Sequence, residues 1–173
     1  MRTKPMGMVH SRLTPHVVYT MPQTPQAPNG PRRSPEVSQG DAESLSPDIQ
    51  PALVLVAEDE ETIAETLALI VADIGYVALV AYDGREALAL ARQHRPNLII
   101  TDLMMPYMSG TDLIAAVRAD AAAQGYTPPP MVVVTAASRT RAEAAGANAV
   151  IVKPFDVSKI EAVVHQFLRR NSE

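Results

Sequence analysis

The sequence predicts an α/β fold in which five parallel strands alternate with five helices. Short apolar runs without charged residues, such as ALVLVA at 52–57, are typical of strands buried on both faces of a sheet. Between them lie longer segments whose apolar residues recur every three or four positions, which is the pattern of a helix with one buried face. Strict alternation of these two kinds of segment favours a parallel sheet covered by helices on both sides.

The first strand and the helix after it show both signals clearly. The helix is predicted from the spacing of Ile63, Leu67 and Ile70, which brings the three side chains to one face. Gly75 stands where a glycine ends many helices in a left-handed conformation. A strand at 52–57 followed by a helix that ends near Gly75 is therefore the first βα unit.

The other four units follow in order along the chain. Asp83 and Gly84 open the second helix, and Gly110 and Thr111 precede the third. The rigid Pro128–Pro130 stretch leads into the fourth strand. The remaining predicted strands occupy 76–81, 97–101, 131–135 and 149–152, and the remaining helices run from 84 to about 94, from 111 to about 123, from about 140 to 145 and from about 157 to 170.

Five such units suit a flavodoxin-like, doubly wound sheet with the strand order 2-1-3-4-5. Right-handed crossovers between parallel strands leave few other topologies. In open sheets of this kind, functional sites form outside the carboxyl ends of the strands, beside the first strand where the strand order reverses. The residues that directly follow the strands are therefore the candidates for function.

The chain divides near Pro51 into two regions of different composition. Residues 1–50 hold eight prolines and few apolar residues, so they cannot bury enough surface to offset the entropy of ordering. We predict a disordered, proline-rich tail over 1–50 and one folded domain over 51–173.

Overlapping P-x-x-P patterns in the tail are those of a polyproline II ligand, although a solvated extension or an upstream start codon explains them more simply. The patterned prolines are Pro22, Pro25, Pro28 and Pro31, and the alternative starts are Met6, Met8 and Met21.

Composition excludes several classes of protein. The 173 residues include no cysteine, which rules out a disulfide framework and a thiolate metal site. The formal net charge of −4 is too mild to indicate a nucleic-acid or membrane partner. No apolar run approaches the roughly 18 residues of a membrane helix, and no secretory signal stands at the N-terminus. These features predict a cytoplasmic protein that binds neither nucleic acid nor membrane.

Polar residues of particular kinds follow four of the predicted strands. Glu58 and Asp59 follow the first, Asp102 follows the third, Thr135 ends the fourth and Lys153 follows the fifth. Neighbouring strands in the predicted order bring these groups to one edge of the sheet. Carboxylates packed together repel one another unless a cation lies between them, and hard oxygen ligands suit Mg²⁺. Such a site permits phosphoryl transfer to a carboxylate, with metal, amine and hydroxyl stabilising the phosphoryl oxygens.

Four motifs at these strand ends resemble the receiver domain of two-component response regulators. The motifs are AEDE, TDLMMPYMSG, TA and KPF, and the resemblance spans about residues 52–170. It implies that Asp102 accepts a phosphoryl group from a sensor histidine kinase or a histidine phosphotransfer protein. It further implies a Mg²⁺ ion held by Glu58, Asp59, Asp102 and the backbone carbonyl of Met104. Thr135 and Lys153 would contact the phosphoryl group, and the bond from Lys153 to Pro154 is expected to be cis.

The resemblance also implies how such a protein works. We expect a stand-alone response regulator that is not a dedicated enzyme, acts on a downstream protein target, and is a monomer or a phosphorylation-dependent dimer. An aspartyl-phosphate phosphatase on a similar fold needs a second acid two residues after the nucleophile, where this chain has Met104. Met104 and Ala137 cannot orient an attacking water, so we expect slow self-dephosphorylation.

Two positions depart from the family pattern. Glu58 is one methylene longer than the commoner aspartate, and Val150 stands where the family usually has an aromatic switch residue. These differences keep open an alternative, a degenerate receiver that binds partners without being phosphorylated. The span from Thr135 to Lys153 is also shorter than the family pattern leads us to expect, which predicts a short fourth helix.

Overall fold

The computed structural model describes residues 18–19, 51–136 and 139–169, which form one sheet flanked by helices. The strands within these ranges are β1 (Val18–Tyr19), β2 (Leu53–Ala57), β3 (Val77–Ala81), β4 (Leu98–Thr101), β5 (Met131–Thr135) and β6 (Ala149–Val152). The helices are α1 (Glu61–Asp73), α2 (Gly84–His94), α3 (Gly110–Gln124), α4 (Arg139–Ala144) and α5 (Val157–Leu168).

The strands lie in the order β1-β3-β2-β4-β5-β6. Every pair among β2 to β6 is parallel, and these five strands, counted by themselves, have the order 2-1-3-4-5. This confirms the predicted flavodoxin-like fold. The predicted strands and helices are all present, with boundaries that differ by no more than two residues, and α4 is short as expected, with six residues.

One strand was not predicted. β1 lies at the edge of the sheet and pairs antiparallel with β3, with Val18 opposite Leu79 and Tyr19 opposite Ala78. Two residues are too few to predict a strand, because both the alternating pattern of a half-buried strand and the apolar run of a buried one need at least four positions. The predicted disorder of the proline-rich tail otherwise concerns residues that lie outside the described part of the chain.

The sheet separates two hydrophobic layers, and successive residues of a strand point into different layers. Val54 and Val56 of β2 pack with α1 and α5, whereas Leu55 and Ala57 pack with α2 and α3. All four side chains are almost completely buried. Because both faces of β2 are covered, the strand has no position for a polar residue until it ends. The first charged side chain therefore appears at Glu58.

Side chains fix the starts of two helices near the carboxyl ends of the strands. The Asp83 carboxylate accepts hydrogen bonds from the backbone N–H groups of Arg85 and Glu86, which begins α2. The Ser109 hydroxyl accepts one from the N–H of Asp112 and begins α3. These caps satisfy donors that have no partner within the helix and set where each helix meets the loop before it.

Gly110 allows α3 to start directly against the end of β4. Its N–H donates to the Leu103 carbonyl at 3.0 Å. A Cβ at this position would lie 2.0 Å from the backbone carbonyl oxygen of Asp102, much closer than any real contact. Only glycine therefore permits this approach of the two backbones.

Replacing Gly110 with alanine should lower the free energy of unfolding by about 1–3 kcal/mol, because the new methyl group meets backbone that cannot rotate away. Urea denaturation followed by circular dichroism measures the change. Ala115→Ser adds one heavy atom at an exposed position of the same helix and serves as the control, with almost no effect expected. Equal stability of the two variants would contradict the close contact.

Candidate functional site

Backbone hydrogen bonds place the predicted site residues at one edge of the sheet. The N–H of Glu58 donates to the Ala81 carbonyl at 3.0 Å, and the N–H of Asp102 donates to the Ala57 carbonyl at 2.9 Å. Each bond extends the ladder by one residue beyond the strands. Hydrogen bonds to neighbouring strands therefore fix the backbones of Glu58 and Asp102, although both residues belong to loops.

Three carboxylates come together at this edge. Glu58, Asp59 and Asp102 each offer an oxygen atom, and these atoms lie within 4.8 Å of one another. Glu58 and Asp102 are buried, whereas Asp59 is exposed. The cluster therefore has a closed inner side and an open outer side, and the donor set consists of hard oxygen ligands of the kind that Mg²⁺ prefers.

Lys153 supplies the positive charge of the cluster. Its Nζ lies 2.6 Å from Glu58 Oε2 and 3.1 Å from Asp102 Oδ2. The backbone N–H of Lys153 donates to the Thr135 carbonyl at 3.0 Å, and the bond from Lys153 to Pro154 is cis as expected. The lysine follows β6, so its side chain reaches past the ends of β5 and β4 to arrive at Glu58. One ammonium thus bridges two carboxylates that come from different strands.

Burial and charge act in opposite directions on these groups. Burial raises the pKa of Glu58 above its ordinary value, and the hydrogen bond and charge of Lys153 offset only part of that increase. Burial by itself would lower the pKa of Lys153, but hydrogen bonds and charges from Glu58 and Asp102 outweigh it and raise that pKa. Lys153 therefore remains an ammonium at neutral pH. Three carboxylates facing one ammonium leave the cluster able to accept a further cation.

The carboxylate of Asp102 is held in a defined orientation. Its Oδ1 accepts from the N–H of Leu103 at 2.5 Å and, more weakly, from the N–H of Met104 at 3.4 Å. Its Oδ2 faces Lys153. The side chain of Asp102 is about 10% exposed, so the group is enclosed on most sides and open at one.

The loop that follows Asp102 presses against the start of α2. A Cβ on Gly84 would lie 2.1 Å from the Met108 carbonyl oxygen, so this contact also requires glycine. Met104 and Tyr107 in this loop are exposed, and the Arg85 guanidinium lies 5.6 Å from the centre of the Tyr107 ring. This contact was not predicted, because Arg85 and Tyr107 belong to different elements, and the TDLMMPYMSG motif that contains Tyr107 does not indicate which residue its ring meets.

The structure brings together most, but not all, of what the sequence predicted. Thr135 is completely buried at the end of β5, where it pairs with Val152 of β6. Val150 pairs with Val133 and packs against the layer formed by α2 and α3. Ala137, which together with Met104 led us to expect slow self-dephosphorylation, lies outside the described residues. The direct ion pair between Glu58 and Lys153 was not predicted, since strand order alone does not show how far a lysine side chain reaches.

Comparison with known proteins places this site in a family. The model of the response regulator receiver domain matches residues 54–165. The DNA-binding response regulator MtrA of Mycolicibacterium paratuberculosis is 35% identical over 124 residues, which are 69% of this chain and 52% of that protein. The probable transcriptional regulator ycf27 of Guillardia theta is 34% identical over 69% of this chain and 46% of its own length.

Solved structures of response regulators are also similar to this chain. The chemotaxis response regulator CheY4 of Vibrio cholerae is similar with a TM-score of 0.61 and 30% identity over 68% of this chain and 98% of that chain. A Francisella response regulator receiver domain gives a TM-score of 0.62 and 27% identity over 69% of this chain and 98% of that one. The chain belongs to the response regulator receiver family. It spans about half the length of the curated relatives it matches.

The relatives correct one prediction. The sequence was expected to have no nucleic-acid partner, yet MtrA is a DNA-binding response regulator, and this expectation is therefore wrong. The expectation rested on the mild net charge of this chain. That charge describes the 173 residues of this chain, whereas the match spans only about half of MtrA, so the charge carries no information on the rest of that relative. Within the described ranges, no helix has the length and apolar character needed to cross a membrane.

Replacing Lys153 with methionine should lower the free energy of unfolding by about 1–3 kcal/mol in metal-free buffer, because two buried carboxylates lose their shared donor. Urea denaturation at neutral pH measures the loss. Lys159→Met is the matched control, since Lys159 pairs with Asp156 at an exposed surface and should contribute little. Adding Glu58→Gln to Lys153→Met should restore part of the stability, and equal effects of the two single lysine variants would contradict the bridging role.

Proposed function

We propose that this receiver is cytoplasmic and accepts a phosphoryl group on Asp102 from a sensor histidine kinase or a histidine phosphotransfer protein. The observation that carries the proposal is the arrangement around Asp102. Its carboxylate lies at the open edge of the sheet, among two further carboxylates and within 3.1 Å of the Lys153 ammonium. A nucleophile, a cation site and a positive charge thus meet where a phosphorylated partner can approach.

The acidic residues fit a Mg²⁺ ion. Glu58, Asp59 and Asp102 would hold it together with the backbone carbonyl of Met104. One carboxylate oxygen from each of the three acidic residues already lies within 4.8 Å of the other two. When bound, the ion would neutralise charge on the phosphoryl oxygens as they move between donor and acceptor. Because Lys153 engages Glu58 at 2.6 Å, we propose that Asp59 and Asp102 are the principal ligands.

The transfer itself needs little from the protein beyond position. A carboxylate oxygen of Asp102 forms a bond to phosphorus while the bond between phosphorus and the imidazole nitrogen of the donor histidine breaks. The electron pair of that bond returns to the imidazole, which is left neutral or takes up a proton. Lys153 already faces Oδ2 of Asp102 and would stabilise the phosphoryl oxygens. Asp102 is held by the N–H of Leu103, which limits its reorientation during attack.

Thr135 is the proposed link between phosphorylation and signalling. Its hydroxyl belongs to a fully buried residue beside the backbone of Lys153, so a shift toward the phosphoryl group would be passed to β6. Val150, at the position of the usual aromatic switch, is an aliphatic residue within a packed layer. We therefore propose that the signal leaves through movement of the backbone rather than through rotation of an aromatic ring.

The output of the phosphorylated state is proposed to be a protein contact. MtrA is named as a DNA-binding response regulator in Mycolicibacterium paratuberculosis and in Mycobacterium tuberculosis, which supports control of DNA binding as one such output. CheY4, of which this chain covers 98%, supports the stand-alone arrangement that the sequence suggested. Neither arrangement requires this domain to be a dedicated enzyme.

Incubation with a small-molecule phosphodonor and Mg²⁺ should add one phosphoryl group to the wild-type chain, because Asp102 is the nucleophile at the open edge. Intact-protein mass spectrometry measures the gain. Asp102→Asn should abolish it, and Asp73→Asn, an exposed aspartate at the end of α1, should retain it. Chelation of Mg²⁺ should strongly reduce the gain of the wild-type chain and of Asp73→Asn.

Two negative results have different meanings. If the wild-type chain gains no phosphate and also fails to bind Mg²⁺, the degenerate scaffold is the better description. If it binds Mg²⁺ but gains no phosphate from the small donor, the test is repeated with a phosphorylated histidine phosphotransfer protein. Failure there as well would refute the proposal.

Met104 gives a second prediction, for the lifetime of the phosphorylated state. Its side chain is exposed beside the site and has no group that can orient water, so loss of phosphate should be slow. Met104→Glu should speed that loss several-fold, whereas Tyr107→Glu, which adds the same charge to the same loop, should change it much less. Time courses of phosphate loss by mass spectrometry measure both rates. Rapid loss from the wild-type chain would contradict the prediction.

A further inference from the structure

A second concave surface lies at the opposite end of the sheet from Asp102. It lies between the ends of α2 and α3 and has a volume of about 320 Å³. We define the basal groove by Leu88, Ala91, Arg95, Val117, Tyr126 and the prolines Pro128–Pro130. The phosphorylation chemistry uses none of these residues.

The groove combines an apolar floor with an aromatic wall. Leu88, Ala91 and Val117 belong to the buried layer beneath it, and the Arg95 guanidinium lies 4.8 Å from the centre of the Tyr126 ring. Beyond Pro128–Pro130 a second hollow of about 340 Å³ continues toward Phe167. Two neighbouring hollows that share Pro128–Pro130 in their lining suit a long and extended occupant better than a compact one.

The path of the chain brings a candidate occupant to this end of the sheet. β1 runs antiparallel to β3, with Val18 opposite Leu79 and Tyr19 opposite Ala78, so the end of β1 at Tyr19 lies toward the start of β3. The chain enters the described part again at Pro51, beside β2. The N–H of Leu53 donates to the side-chain oxygen of Asn97 at 2.8 Å, and Asn97 lines the groove. Both ends of the stretch 20–50 therefore lie at the same end of the sheet as the groove.

The distances allow this stretch to reach the groove. Three strand spacings separate β1 from β4, which is about 14 Å. Six residues from Tyr19 to Pro25 span about 19 Å in an extended chain at about 3.1 Å per residue. The 20 residues from Pro31 to Pro51 are more than enough to lead from the groove back to the start of β2, so this connection does not limit docking.

The composition of this stretch matches the groove. Residues 22–31 read PQTPQAPNGP, with a proline at every third position and no charged side chain. Grooves lined by aromatic residues recognise proline-rich segments of this kind, because such segments lose little entropy when they bind. We propose that residues 25–31 of this same chain dock in the basal groove in an extended conformation. Docking there leaves the Asp102 edge accessible.

Paramagnetic broadening in the full-length chain tests this directly. The chain has no cysteine, so Thr24→Cys gives a single site for a nitroxide label. If the segment docks, the amide signals of Gly125, Tyr126 and Thr127 should lose most of their intensity, and those of Leu103 and Met104 at the other end should keep theirs. Unchanged intensity at the groove would overturn the proposal.

Substitutions in the nitroxide-labelled chain show which residues make the groove contact, and a mixing experiment shows whether the docked segment belongs to the same chain. Pro25→Ala with Pro28→Ala should restore the groove signals, whereas the matched pair Pro35→Ala with Pro47→Ala should leave them broadened. Tyr126→Ala should restore the signals of its neighbours, with the rest of the amide spectrum showing that the fold is kept. A mixture of isotope-labelled chain without nitroxide and unlabelled chain with nitroxide should show no broadening. Broadening in that mixture would assign the groove to a second copy and refute docking within one chain.

Discussion

The bridge from Lys153 to Glu58 and Asp102 is the interaction on which the site depends. Three carboxylates at the edge of a sheet repel one another, and the described residues place one ammonium within hydrogen-bond distance of two of them. Burial makes the ionised form of Glu58 costly and the attraction to Lys153 strong, so neither group is easily replaced alone. The cluster remains together without being fully neutralised, and this residual negative charge suits the divalent cation that we propose for the site.

The strands explain why these groups meet. In parallel pairing, the register of β2 with β4 and of β4 with β5 brings the carboxyl ends of the strands to one edge. Each strand is apolar throughout because both faces are covered, so the first polar residue of each chain segment falls at that edge. The same hydrophobic pattern that builds the core thus concentrates the chemistry of the protein in a single place.

This regularity is why much of the molecule could be predicted from its sequence. The order of the strands, the residues Glu58, Asp59 and Asp102, and the short α4 follow from periodicity and from motifs at strand ends. The strand β1 could not be predicted, because two residues do not form a pattern. The ion pair between Glu58 and Lys153 depends on how far a flexible side chain extends, and the contact of Arg85 with Tyr107 depends on how a loop folds back. Neither is encoded in local sequence.

The loop after Asp102 makes close backbone contacts at both of its ends, Asp102 and Met108. Gly110 meets the backbone of Asp102, and Gly84 meets the backbone of Met108, with no space for a side chain at either contact. Between these two points, Met104, Pro106 and Tyr107 face solvent. These three outward-facing positions beside the Asp102 carboxylate can therefore change with the least effect on the backbone. A lineage of such proteins can alter which partner it recognises by changing those positions, while the backbone that orients Asp102 stays the same.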